Sequence, residues 1–150
     1  ILKNLHSLHI RVQRHSKNGA FFAQKFRGLG IKTYYPGFED HKGYELLKSM
    51  MNEGFGFGGM LAIDVADLES ANKLMTMMQE EKVGYLAVSL GYFKTLFSSP
   101  GHSTSSEIPA DEQEKIGLGK GLVRFSVGLD NNIENSFARV EKCLKELKLV

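Results

Sequence analysis

The chain has 150 residues, 42% hydrophobic and 24% charged, a composition suited to one globular domain that buries roughly two-thirds of its unfolded surface. Nineteen basic side chains against 17 acidic ones leave a formal charge of only +2, too small a surplus for the electrostatic footprint of a nucleic-acid binder. A single cysteine excludes an internal disulfide framework, and the absence of a signal-peptide pattern or of an apolar run of about 18 residues leads us to expect a soluble, cytoplasmic protein without a membrane partner.

Leu5, Leu8, Val12, His15, Gly19, Phe22 and Phe26 are spaced alternately three and four apart, which predicts one long helix ending at Gly28 or Gly30. Ile1 opens the sequence inside this pattern with no capping residue ahead of it, so the natural chain is expected to extend upstream. Ile31 to Tyr35 reads as a short strand stopped by Pro36-Gly37, and Tyr44 to Met51 as a second helix. Met60 to Val65 is the next strand, followed by Asp67 as an N-cap and by Leu68, Ala71, Met75 and Met78 at helical spacing. Strands are expected over Gly84 to Ser89 and over Gly121 to Gly128. In the latter, Val123, Phe125 and Val127 share one face and Leu122, Arg124 and Ser126 the other. Asn131, with Glu134 three residues on, predicts the start of a last helix whose apolar stripe is Ile133, Phe137, Val140, Leu144 and Leu147. Four strands interleaved with helices predict a two-layer α/β sandwich, one sheet covered by helices on one face. Ser98 to Ser106 is the one polar loop long enough to suggest function.

Most candidate chemistry in the chain has a plain structural reading. Gly54, Gly56 and Gly59 satisfy G-x-G-x-x-G, but a strand follows them where a dinucleotide fingerprint needs a helix, so flexible glycines leading into a buried strand explain them better. His6 and His9 lack the carboxylate or cysteine that would complete a metal shell, and His15, on the apolar stripe, suits a hydrogen-bonded core or interface histidine. Cys143 suits a small core residue. Ser89 has no nucleophile elbow around it. Arg124 is the informative residue, because it interrupts a strand where an apolar side chain would suit the sheet better. Two readings stand open: an arginine snorkelling off the open face, or a fixed guanidinium whose planar fork matches a carboxylate.

Ala87-Val88-Ser89-Leu90-Gly91, then Ser103-Thr104, then Gly121-Leu122-Val123-Arg124-Phe125-Ser126-Val127-Gly128 resemble the C-terminal signature of the Cys/Met-metabolism family of pyridoxal-phosphate (PLP) enzymes. The likeness continues in Leu8-His9-Ile10-Arg11-Val12, Arg14-His15, Tyr35-Pro36-Gly37 and Gly58-Gly59-Met60, and so runs through nearly the whole chain in order. Ser89-Leu90-Gly91-Tyr92 and Ser103-Thr104-Ser105-Ser106 tilt it toward the methionine γ-lyases of plant type, with cystathionine γ-lyases and γ-synthases as near relatives.

The resemblance implies an α+β C-terminal domain with a small, mostly antiparallel four-stranded sheet, as in fold-type I PLP enzymes. Residues 1–30 would lead in from an upstream PLP-binding domain, and residues 31–150 would bind the substrate carboxylate. Arg124 would grip the α-carboxylate of a sulfur amino acid, with Ser89 and the backbone beside Leu90 assisting and Thr104 in the site wall. The resemblance implies that the family's PLP lysine and PLP itself lie upstream, that no catalytic residue lies in this chain, and that the chain alone is inactive. The intact enzyme would be a homotetramer. The alternative from another class is a catalytically silent module that binds amino acids or a partner subunit.

Overall fold

The computed structural model describes residues 5–102 and 107–150. In chain order it contains α1 (Leu8–Gly28), β1 (Lys32–Tyr34), α2 (Tyr44–Met50), β2 (Met60–Asp64), α3 (Leu68–Glu80), β3 (Gly84–Leu86), β4 (Thr95–Ser98), a 3-10 turn (Pro100–His102), α4 (Ala110–Lys115), β5 (Leu122–Ser126) and α5 (Ile133–Glu146). The sheet has the order β1-β2-β5-β4-β3; its neighbours are antiparallel except β3 and β4, which run parallel.

The two-layer α/β class and the largely antiparallel sheet are as expected, but the sheet has five strands, not four. The extra strand is β4, whose four residues Thr95, Leu96, Phe97 and Ser98 are all buried. Burial on both faces removes the alternation by which a half-buried strand shows itself, and Ser98 and Ser99, taken for the start of a polar loop, are 4% and 7% exposed. The strand expected over Gly84 to Ser89 is only three residues long, because residues 87–94 leave the ladder to form the β3–β4 connection. The helix cap expected at Asn131 is instead Asn132, whose side chain accepts from the Asn135 N–H at 3.2 Å. Asp67 does cap α3, accepting from Ser70 N–H at 2.8 Å.

Helices α1, α3 and α5 cover one face of the sheet. Leu61, Ile63, Val123, Phe125 and Phe97 point into that layer and meet Phe22 and Phe26 of α1, Leu74 and Met78 of α3, and Phe137, Val140 and Leu144 of α5, all buried. Cys143 is fully buried in the same core, and burial pushes its thiol up from the ordinary range, as suits a packing residue. Phe125 sits at the aromatic centre, 5.3 Å from Phe26 and 6.0 Å from Phe97 in tilted pairs and 6.4 Å from Phe22 edge-to-face, between ring centroids.

Helix α1 lies on the sheet end through small residues and a polar rail. A Cβ added at Gly19 would sit 2.8 Å from Gly58 O and 2.8 Å from Gly59 Cα, so backbone meets backbone there. Gly19→Ala should therefore destabilise the fold by about 1–3 kcal/mol, read as a lower midpoint in urea unfolding. Along the same helix, Arg14 donates to Asn131 Oδ1 (3.2 Å), His15 Nδ1 to Val127 O (2.6 Å), and Asn18 Nδ2 to Gly128 O and Asp130 O (2.9 and 3.0 Å). His15 is thus the buried, hydrogen-bonded histidine expected of its stripe. The N-terminal end of that stripe is different, since Leu5 and Leu8 are half exposed.

Tyr35 is 3% exposed and donates its phenolic proton to Gly58 O at 3.1 Å. Burial pushes its pKa up to about 12. The folded state therefore binds this proton more tightly than the unfolded chain does, and its contribution, intact below about pH 10, is lost as pH rises toward 12. Unfolding free energy measured from pH 9 to 12 should fall, and Tyr35→Phe should flatten that fall.

Candidate carboxylate-binding site

On the sheet face away from the helices, β5 places Arg124 between Ala62 of β2 and Ser98 of β4, its register partners. The period of two that sends Val123 and Phe125 into the core sends Arg124 to this open face. Its Nη2 donates to Val88 O at 3.0 Å and, at the limit of bonding distance, to Ser89 O at 3.5 Å. These contacts bring the backbone carbonyl of Ser89 beside the guanidinium. Leu90 stands on the same loop and is 64% exposed. Thr104 lies outside the described residues.

The rest of the guanidinium is unmatched. Arg124 Nε is buried without a hydrogen-bond partner, and so is the hydroxyl of Ser98 directly opposite it. Among the described residues no carboxylate pairs with Arg124; the ion pairs are Arg27–Asp40, Lys32–Asp64, Lys73–Glu69, Lys115–Asp111, Lys142 with Glu81 and Glu146, and Lys145–Glu141. A buried donor without an acceptor costs about 1–3 kcal/mol, more when charged, so an arginine kept in this state is suited to receiving an anion from outside. A planar guanidinium with donors left over after its backbone contacts has the chemistry to pair with a carboxylate.

Two further residues belong to this site that the sequence reading did not single out. Gly91 donates its N–H to Ser126 Oγ at 3.0 Å, and its carbonyl accepts from Arg11 Nη2 at 2.5 Å. Ser126 lies two residues beyond Arg124 on the same strand face, a position that alternation alone could have flagged; Arg11 is 80 residues from Gly91, and no local pattern marks it. A shallow cavity of about 240 Å³ between α1 and the 54–57 loop shares no residue with this site, and none of the buried polar groups lining it lacks a partner.

A PLP site would need a lysine for the Schiff base, in surroundings that lower its pKa. Every lysine among the described residues is exposed. The ammonium groups of Lys32, Lys73 and Lys142 are shifted upward, by hydrogen bonds to Tyr34, Glu69 and Glu81 first, which is the wrong direction for a nucleophile. The lysines among the described residues do not fit the cofactor.

Comparison with known proteins gives a match over residues 1–144 to the family described as Cys/Met metabolism PLP-dependent enzyme. Methionine gamma-lyase of Arabidopsis thaliana is 43% identical over 136 residues, which are 90% of this chain and 31% of that protein. L-methionine gamma-lyase of Fusobacterium nucleatum subsp. nucleatum is 37% identical over 150 residues, 98% of this chain and 36% of that protein. The crystal structure of cystathionine gamma-lyase from yeast superposes with a TM-score of 0.87 at 25% identity, covering 97% of this chain and 37% of that one. The chain thus spans about a third of the length of the relatives it matches.

Proposed function

Because the chain belongs to the Cys/Met-metabolism family of PLP-dependent enzymes, we propose that it is the substrate-carboxylate-binding part of a carbon–sulfur lyase of sulfur amino-acid metabolism. Methionine γ-elimination, giving methanethiol, 2-oxobutanoate and ammonia, is the preferred reaction, supported by the likeness to the two methionine gamma-lyases. Cystathionine is the second substrate to test, because a cystathionine gamma-lyase shares the fold at a TM-score of 0.87. The observation that carries the reading is the half-matched guanidinium of Arg124: its Nη2 is held by Val88 O, while its Nε is buried without a partner among the described residues.

In this reading PLP is bound by residues outside this chain, and this chain contributes orientation. A carboxylate seated on Arg124 has its two oxygens fixed by parallel N–H donors, so the amino acid can rotate little about its Cα–carboxylate bond. The mass of the native polypeptide under denaturing conditions is the first test. More than twice the 16.7 kDa of this chain supports the enzyme, and 16.7 kDa would favour a silent amino-acid-binding module instead. For the purified protein with PLP, release of 2-oxobutanoate from L-methionine is the expected activity; turnover of cystathionine alone would move the assignment to the second substrate.

A further inference from the structure

We propose that Arg11 and Ser126 are positioning residues for the carboxylate site, acting through the Gly91 peptide; this rests on the carboxylate reading of Arg124. The 87–94 connection is largely exposed, and a segment with so little burial is held only where specific bonds pin it. Ala87 N–H extends the ladder to Phe97 O (3.1 Å), and Leu129 N–H closes the far end on Phe93 O (2.8 Å). Between these ends stand Arg124 on Val88 and the pair Arg11 and Ser126 on Gly91.

The two peptide groups flanking the Gly91 Cα are thus each pinned, by residues from different layers. Arg11 comes from α1 and supplies a charged donor to the carbonyl; Ser126 comes from β5 and is 3% exposed, a buried acceptor for the N–H. Gly91 has φ +69°, a conformation that glycine adopts without strain, so the peptide can turn to face both anchors. Ser89 and Leu90 lie between this pin and the Arg124 contact on Val88. Their backbone therefore has a fixed position relative to the guanidinium, and a carboxylate meets a rigid wall. Without the pin the loop keeps its ends but not the placement of Ser89 and Leu90.

The test uses the full-length PLP-loaded protein, with L-methionine as the carboxylate-bearing probe and 3-(methylthio)propylamine, which lacks only the carboxylate, as the comparison. Arg11→Ala and Ser126→Ala should each raise KM for L-methionine about tenfold, with kcat falling less, while inhibition by the amine changes less than twofold. Arg11→Lys, which keeps a charged donor, should fall between Arg11→Ala and the native protein. Equal weakening of both probes in Arg11→Ala and Ser126→Ala would mean a general structural role and overturn the proposal, as would no weakening of either. Arg124→Ala separates the two levels. If it loses discrimination between the probes while Arg11→Ala and Ser126→Ala keep it, the positioning role alone fails. If Arg124→Ala itself treats both probes as the native protein does, the carboxylate reading fails and the positioning role with it. Should Arg11→Ala not fold, Ser126→Ala, a nearly isosteric change, and Arg11→Lys decide.

Discussion

Arg124→Ala in the full-length protein should lower kcat/KM for L-methionine by about 10²- to 10³-fold, with KM rising and kcat falling together. Each hydrogen bond to a charged group contributes about 1.5–3 kcal/mol, and about 1.4 kcal/mol is tenfold, so losing a two-pronged grip accounts for that range. The fall in kcat follows because an amino acid that still reaches the site is no longer held at a productive angle. The variant also releases Val88 O, which Arg124 holds at 3.0 Å, so the loop loses one of its anchors as the substrate loses its grip. Arg124→Lys should recover only a minor part, because a lysine restores the charge without the fork. Steady-state kinetics on L-methionine decides: native KM and kcat in Arg124→Ala would remove the carboxylate role.

The adjacent residue carries the second large effect, and of the opposite kind. Phe125 is fully buried and touches the rings of Phe22, Phe26 and Phe97. Phe125→Ala leaves a cavity at the junction of β5, β4 and α1 and should cost about 3–5 kcal/mol. That is a large fraction of the 5–15 kcal/mol typical of a domain, and corresponds to a fall in melting temperature on the order of 10 °C. Calorimetry or urea unfolding reads it. Under conditions where Phe125→Ala stays folded, its KM should move far less than that of Arg124→Ala. Neighbours on one strand thus face opposite sides of the sheet, Phe125 the core and Arg124 the proposed carboxylate site.

The sequence made that division visible, because alternation over Val123 to Val127 separates the two faces without any knowledge of partners. The long helix, the α3 cap at Asp67 and the apolar stripe of the last helix were legible for the same reason: each is a local pattern with a fixed period. What escaped was decided by tertiary context. Strand β4 is buried on both faces and ends at Ser98, with Ser99 following, so composition pointed to a loop. Of the site, Arg124 stood out as a charge inside an apolar strand, and Ser89 and Leu90 entered through family resemblance. Arg11 stayed hidden, because its link to Gly91 depends on how α1 crosses the sheet.

The order of the sheet has a consequence for how the protein comes off the ribosome. Strand β5 is the last strand synthesised and occupies the centre, joining β1-β2 on one side to β4-β3 on the other. Until residue 126 has emerged, the nascent chain can form only two separate strand pairs, each of a kind that is marginal in water by itself. The partners of Arg14, His15 and Asn18 lie 110 to 117 residues downstream, so α1 waits for the same event. Translation must therefore pass residue 126 before the sheet can close, and Arg124 rides on the closing strand. A product ending before residue 121 has neither a joined sheet nor the arginine.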